Sequence, residues 1–238
     1  TIRVPASLPP ILVFNSQNDH DLLPQTINKI PFKSDWSPEF FFHICPDKKV
    51  VCLNTSNPPA LPKVAFVLEV LKIERRANNE NEAFVRVQNR ILIKELQQIE
   101  CDTPEILQQF HLHKAAIMTV ARAEEYLDDP ITDLGKLEEG LQAIREFVKV
   151  KIHNVAVNSP HALAELVSRF PTLAQSNLLL QRSFEELSNE TLLFVSLLNI
   201  DHEVKHRLLE TKNIMERLAI LQHTVSQLET YNESTKLF

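Results

Sequence analysis

Two histidines, His111 and His113 in "FHLHK", have a spacing that could suit a metal site. On a β-strand this spacing puts both imidazoles on one face, where they can ligate zinc. Cys101 and Glu105 are near in the sequence, but the local sequence supplies no third ligand. The alternative is a pair of ordinary surface histidines in a loop. We adopt that alternative and predict no metal site.

Patterns that would support catalysis are weaker still. The adjacent carboxylates Asp128–Asp129 and Glu138–Glu139 point apart, and they suit helix starts better than an acid–base pair. The chain has two glycines, Gly135 and Gly140. A P-loop, a dinucleotide fingerprint and a nucleophile elbow each need at least two glycines in a fixed local pattern that this pair does not form. We therefore predict no catalytic residues and no nucleotide site in these 238 residues.

The composition is that of a globular protein with a substantial core, at 44% hydrophobic and 24% charged residues. A net charge of -6 argues against nucleic acid or an anionic membrane as the main partner. No apolar run approaches the roughly 18–20 residues of a membrane span. The cysteines are odd in number, at three, and form no C-x-x-C, which indicates buried thiols in a reducing compartment.

The composition changes near residue 128, which predicts two structural units. Most of the 14 prolines precede this point, and both glycines come after it. In the first part, short apolar runs bounded by turn residues predict strands at 8–14, 49–54 and 64–76. A further strand is predicted over 83–96, with its side-chain alternation broken at 88–90. Residues 115–127 fit a strand and a helix equally well.

One helix is predicted within the first part, in "SDWSPEFFFHI", with Ser37 as N-cap and Pro38 at the first helical position. The second part is predicted to be helical, with an apolar stripe from Leu137 to Val148 and a cap at Ser159 followed by Pro160. Polar breaks separate the later segments "TLAQSNLLLQRSFEEL", "NETLLFVSLLN" and "DHEVKHRLLE". Their short connections favour an antiparallel bundle.

The last helix has the clearest local signals. Asn213 and Glu216 form a capping-box pattern, in which each side chain satisfies a backbone N–H of the first turn. Apolar residues then recur at spacings of 4, 3, 4 and 3, and we call this set the apolar seam: Ile214, Leu218, Leu221, Val225 and Leu228. No Gly or Pro ends the helix, so we expect it to continue beyond Phe238 in a longer protein.

The segment "RLLETKNIMERLAIL" (207–221) resembles a pattern of Lon-type ATP-dependent proteases, in which a helix ending in L-L-E precedes x-V-x-E-R-L-x-x-L. "ARAEEYLDDP" (121–130) is similar to the last strand of the Lon N-terminal domain. "VAFVLEVLKI" and "AFVRVQNRILI" resemble its hairpin. The chain as a whole resembles a divergent Lon N-terminal region.

This resemblance implies an α+β chain with three parts: a β-rich pseudo-barrel over 1–127, a helical bundle over 128–212 and the start of a long exit helix over 213–238. It implies a non-catalytic region that recognises unfolded or damaged protein. ATP, Mg²⁺, the ATPase and the Ser-Lys protease would belong to the rest of a hexameric serine endopeptidase. A cytoplasmic location, or the mitochondrial matrix in a eukaryote, is expected. A free-standing adaptor of the same fold, with one dedicated partner or small ligand, is the alternative.

The resemblance also indicates two groups of site residues. The aromatic segment "WSPEFFFH" is the expected substrate-binding surface, because its aromatics cannot all face one side of a helix: Trp36, Glu39, Phe40, Phe41 and His43. Core packing of the phenylalanines is the alternative. The apolar seam is the expected assembly element, with packing on its own bundle as the alternative.

Overall fold

The computed structural model describes residues 4–16, 22–32, 36–54, 57–77, 80–174 and 183–230. The chain forms two compact units that divide between Leu127 and Asp128, and residues 24–26 group with the second unit. Strands make up most of the first unit and helices the second, which confirms the predicted α+β class. Among the described residues, no helix combines the length and the apolar character that a membrane crossing requires.

In its described part, the first unit holds six strands and two short helices. In chain order they are β1 (Ile11–Ser16), β2 (Ile27–Phe32), α1 (Pro38–Ile44), β3 (Lys49–Asn54), β4 (Lys63–Arg75), β5 (Asn81–Cys101), α2 (Pro104–Gln109) and β6 (Ala116–Glu125). The predicted strands are confirmed, and residues 115–127, which fitted two structures, form β6. Residues 78–79, between β4 and β5, lie outside the described residues.

The strands close into a ring because β5 is long enough to pair with two strands: residues 81–93 pair with β4, and residues 91–101 pair with β6. β1 pairs with β3 in parallel, and the pairs β3–β4, β4–β5, β5–β6 and β6–β1 are antiparallel. β2 lies outside this ring of pairings, and it pairs with the first part of β5, residues 81–86. This closure is the predicted pseudo-barrel, and it removes most of the exposed sheet edge.

Alternation along each strand separates two apolar clusters. One cluster consists of strand residues and the adjoining Leu8, and it includes Val13, Val51 and Ile93, so it fills the ring. The other includes Phe14 and lies under α1. The helix α1 therefore covers one outer face of the sheet and fixes where its aromatic side chains lie.

The predicted break in side-chain alternation at 88–90 is confirmed, and it does not end the strand, since β5 runs continuously from Asn81 to Cys101. The pairing with β4 shifts at this point: Phe66 lies opposite Arg90, but Leu68 lies opposite Val87. The extra residue on β5 marks a β-bulge, which interrupts the alternation of side chains without ending the strand. This bulge is the structural cause of the interrupted alternation that the sequence shows at 88–90.

The second unit holds five α-helices in its described part. They are α3 (Leu134–Asn158), α4 (Pro160–Arg169), α5 (Phe184–Leu197), α6 (His202–Glu210) and α7 (Ile214–Thr230), with a 3₁₀ turn at Pro171–Ala174. The predicted cap at Ser159 is confirmed, since its hydroxyl accepts a hydrogen bond from the Ala162 N–H. The predicted helical segment over 172–187 includes residues 175–182, which lie outside the described residues.

The polar break predicted between "SFEEL" and "NETLL" is wrong, because α5 is one helix through Ser188 and Asn189. A capping box of Ser183 and Glu186 starts this helix. The Ser188 hydroxyl donates to the carboxylate of Asp128, so its polar group is satisfied without ending the helix. The break was predicted from polarity alone, which does not distinguish a loop from a helical residue with a tertiary partner.

The last helix begins as predicted. The Asn213 side chain accepts a hydrogen bond from the Glu216 N–H at 3.1 Å. The Asn213 N–H itself donates to the hydroxyl of Thr211 at 3.1 Å, so Thr211 takes the role that the capping-box pattern gave to the Glu216 side chain. This helix packs on α3 and α5. Residues 231–238 of the predicted exit helix lie outside the described residues.

Gly140 sits where α3 and α7 pack, although glycine weakens a helix interior. A Cβ at this position would lie 2.6 Å from Leu218 Cδ2, a buried side chain. We expect Gly140→Val to lower the free energy of unfolding by about 1–3 kcal/mol, because the helices must separate or Leu218 must leave its rotamer. Urea denaturation checks this. Gly135→Ala is the control, with an expected change within about 0.5 kcal/mol; equal effects would contradict the packing role.

Candidate functional site

The helix α1 is fixed by local signals and by two buried phenylalanines. The Ser37 hydroxyl accepts a hydrogen bond from the Phe40 N–H at 3.1 Å, and Pro38 occupies the first turn. Phe40 is 0% exposed and Phe41 is 3% exposed. The Phe41 ring lies 5.3 Å from the ring of Phe14, which belongs to the apolar cluster under α1. Burial of these two rings anchors α1 on the sheet.

A second layer of rings lies over Phe40. Trp36 meets it edge to face at 5.4 Å between centroids, and Phe110 lies 5.2 Å from it. His43 is 5.0 Å from Phe110. Trp36 and Phe110 are half-buried, and His43 is exposed. We call Trp36, His43 and Phe110 the aromatic patch, a surface supported from below by Phe40.

The structure divides the predicted substrate-binding residues into two groups. The side chains of Phe40 and Phe41 lie in the core and are covered, so the predicted direct contact with substrate is corrected for them. The physical reason is that burying a phenylalanine stabilises the fold by about 1.5–3 kcal/mol. Trp36 and His43 reach the surface beside the exposed Glu39. Their binding role stays a prediction.

Sequence reasoning missed Phe110, which completes the aromatic patch. Residues 104–109 form the short helix α2, and Phe110 is the residue at its C-terminal cap. Pro104 after Thr103 was a possible sequence signal, since proline is frequent at the first helical position. That signal predicts a helix, but it does not predict contact with a ring about 70 residues earlier in the sequence.

The histidine pair His111 and His113 does not lie on a strand. His111 has a left-handed backbone with φ of 53°, and β6 begins only at Ala116. Both His111 and His113 are exposed. Within the described ranges, no three His, Cys, Asp or Glu side chains are grouped to hold a metal ion. This arrangement agrees with surface histidines in a loop.

Two further apolar side chains are exposed on the paired strands β5 and β6. Ile99 is 40% exposed and Ile117 is 62% exposed. They lie near the ends of strands joined by the segment that carries α2. Single exposed apolar side chains are common on protein surfaces, so these two do not by themselves indicate a binding site.

Cys45 ends α1, and its thiol is buried. Its Sγ donates to Asp47 Oδ1 and to the Lys49 carbonyl, each at 3.3 Å. Burial, together with the bond to and the charge of Asp47, raises the pKa of the Cys45 thiol to about 12. A raised pKa lowers the fraction of thiolate, which is the reactive form.

Cys45 is therefore expected to resist alkylation by iodoacetamide at pH 8 in the native protein, whereas the half-buried Cys101 reacts. Peptide mass spectrometry checks this. In urea both thiols are expected to react, because unfolding exposes Cys45 and returns the pKa of its thiol to about 8.5. Modification of Cys45 at the rate of Cys101 in the native state would contradict the burial argument.

The apolar seam packs within the helical unit. Ile214, Leu218, Leu221 and Val225 are buried, and Leu228 is half-buried. Their packing supports the alternative, in which the seam lies on its own bundle. A role in assembly is left to Leu228 and the residues C-terminal to it, and that role stays a prediction.

A buried arginine organises the start of α7. Arg217 is fully buried, and all five of its N–H groups are used. Two donate to the Asp128 carboxylate at 2.8 and 2.7 Å. The others donate to the Thr191 hydroxyl at 2.8 Å and to the carbonyls of Leu208 at 3.2 Å and Thr211 at 2.9 Å. Arg217 thus joins α5, the end of α6 and the first residue of the helical unit.

Comparison with known proteins gives structural neighbours. No family model and no curated protein sequence matches the chain. The N-terminal domain of a Lon protease from the Mycobacterium avium complex has 15% identity and a TM-score of 0.48, over 92% of this chain and 98% of that one. A Lon N-terminal domain protein from Xanthomonas campestris has 11% identity and a TM-score of 0.39, over 94% and 99%. Both solved structures are Lon N-terminal domains, the family that the sequence resembles.

Proposed function

We propose that this chain is the non-catalytic N-terminal region of a Lon-type ATP-dependent protease and that it binds unfolded or damaged polypeptide. The sequence resemblance over 207–221 and the order of a β-rich unit followed by helices support the assignment. The aromatic patch is the observation that carries the binding function. It presents rings at the surface of a unit whose own core is already filled.

The patch suits an unfolded polypeptide for physical reasons. An unfolded chain exposes the aromatic and aliphatic side chains that a native protein buries, and these gain most from contact with exposed rings. Trp36 is held in place by Phe40 and by a hydrogen bond from Asn81 Nδ2 to its backbone carbonyl at 3.1 Å. A surface held in this way loses little side-chain entropy on binding.

In this proposal the catalytic parts lie elsewhere in a longer protein. The ATPase module would bind ATP and Mg²⁺, and a Ser-Lys module would cleave the substrate in a hexameric ring. The present region would pass bound polypeptide to that machinery in protein quality control, in the cytoplasm or the mitochondrial matrix. Leu228 and the chain beyond it are the candidates for contact with the ATPase module and neighbouring subunits.

The test compares binding of the isolated chain to a reduced and alkylated protein and to the same protein in its native form. We expect preference for the unfolded form and at least tenfold weaker binding by Trp36→Ala/Phe110→Ala. The matched control is Leu134→Ala/Val157→Ala, which removes two exposed apolar side chains of α3. Circular dichroism checks that each variant is folded.

Three outcomes would count against the proposal. Equal and negligible binding to the native and unfolded proteins would remove the recognition function. An equal loss in the control variant would show that general surface hydrophobicity, and not the aromatic patch, is responsible. Capture of one stoichiometric partner in place of unfolded proteins would favour the free-standing adaptor.

A further inference from the structure

Two histidines on α6 face each other one helical turn apart. His202 is the first residue of the helix and His206 comes four residues later, so both side chains lie on one face. Their Nε2 atoms are 3.1 Å apart, and the ring centroids are 4.4 Å apart. Both residues are exposed to solvent. This pair is unrelated to the aromatic patch and to the proposed function.

Two imidazole nitrogens this close require something between their lone pairs. A proton can serve, if one ring carries its hydrogen on Nε2 and donates to the other. A metal ion can take the place of that proton. Zinc binds imidazole nitrogen at about 2.0–2.1 Å, so two nitrogens of a tetrahedral site lie about 3.3 Å apart. The observed separation is close to that value.

The helix that carries the pair is held at both ends. The Asp201 side chain accepts hydrogen bonds from the N–H groups of Glu203 and Val204 at 3.0 and 3.4 Å. At the other end, Arg217 Nε donates to the Leu208 carbonyl. The buried Leu208 anchors the helix in the unit. A fixed helix keeps the backbone positions of the two histidines one turn apart, so only their side-chain rotamers remain to be ordered when a metal binds.

We propose that His202 and His206 form a two-ligand site for a divalent transition metal ion, with zinc as the committed ion. Imidazole suits zinc, nickel and copper, whereas magnesium and calcium prefer oxygen ligands. The same i, i+4 histidine spacing holds zinc in helical metalloprotease motifs. Two protein ligands leave at least two positions for water or for a ligand from another molecule, so the ion is exchangeable.

The test is zinc titration of the whole chain by isothermal calorimetry. We expect one equivalent bound through the pair and at least tenfold weaker binding by His202→Ala/His206→Ala. The matched control is His111→Ala/His113→Ala, which removes two exposed histidines that lie in a loop, and it should bind as the parent chain does. A Cys101→Ser background removes the half-exposed thiol at the end of β5, which would compete for zinc.

Thermal unfolding gives a second readout, because an ion that binds the folded helix raises the unfolding temperature. The rise should occur with zinc, disappear in His202→Ala/His206→Ala and be absent with magnesium. Both substituted side chains are exposed, so the variant is expected to fold. Binding by the double variant within twofold of the parent chain would overturn the proposal. So would the absence of zinc binding by the parent chain, which would show that the contact between the two rings is not a metal site.

Discussion

Replacing Arg217 with methionine is expected to lower the free energy of unfolding of the helical unit by about 3–5 kcal/mol. Methionine has a similar volume but no donors. The Asp128 carboxylate, which is fully buried in its ion pair with Arg217, would lose its charged partner. The Leu208 and Thr211 carbonyls would each lose a donor as well. Urea denaturation followed by circular dichroism measures the loss.

The size of this effect comes from the unpaired charge, and a second variant isolates it. Asp128→Leu combined with Arg217→Met removes both charges, and exchange of a whole buried pair for apolar groups is often close to neutral. We therefore expect the double variant to recover part of the stability lost in Arg217→Met. A double variant less stable than the single one would contradict the charge argument.

Arg207→Met is the matched control for Arg217→Met, since Arg207 lies one turn from the end of α6 and is exposed. A surface change of this kind is expected to stay within about 0.5 kcal/mol. Arg217→Lys keeps the charge but cannot make the five-donor arrangement, so an intermediate loss is expected. Equal stability of the Arg207 and Arg217 variants would mean that the buried network contributes little.

Replacing Phe40 with alanine is expected to cost about 3–5 kcal/mol, because it leaves a cavity under the aromatic patch. Phe40 is fully buried and contacts Trp36 and Phe110. Under the proposed function, its loss would also weaken the binding of unfolded polypeptide indirectly, since the Trp36 and Phe110 rings rest on it. Thermal or urea unfolding measures the stability, and the native-versus-unfolded binding assay measures the second effect.

Trp36→Ala distinguishes the proposed binding role of Trp36 from the structural role of Phe40. Its side chain is half-buried, so its removal is expected to cost less stability than Phe40→Ala while it weakens binding directly. Phe42→Ala serves as the aromatic control, because Phe42 contacts Phe41 and Lys48 on another side of α1. If Trp36→Ala destabilises the chain as much as Phe40→Ala does, the assignment of Trp36 to the surface patch and of Phe40 to the core beneath it is wrong.

Signals that act within a few residues predicted the local structure correctly. The helix starts at Ser37, Ser159 and Asn213 depend on hydrogen bonds that reach only three residues along the chain. The composition change near residue 128 falls where the two compact units divide. The histidines at 202 and 206 lie four residues apart in a predicted helix, but that spacing alone does not show that their rings meet.

The candidate site was predicted only in outline. "WSPEFFFH" was singled out for its aromatics, and the helical spacing correctly indicated that they must face different ways. Spacing cannot tell which face meets the sheet, because that depends on strands elsewhere in the chain. The burial of Phe40 and the arrival of Phe110 from α2 are results of packing between distant segments.

The sequence by itself determined the class of the chain, its two-part organisation and the starts of α1, α4 and α7, because composition, periodicity and capping are local properties. Tertiary structure alone decided which rings are covered, that β5 passes through 88–90 as a bulge, and that Arg217 meets Asp128 across 89 positions. The reason is physical. Burial and the pairing of buried charges depend on which segments, distant in the sequence, come into contact in the fold. A local sequence pattern does not contain that information.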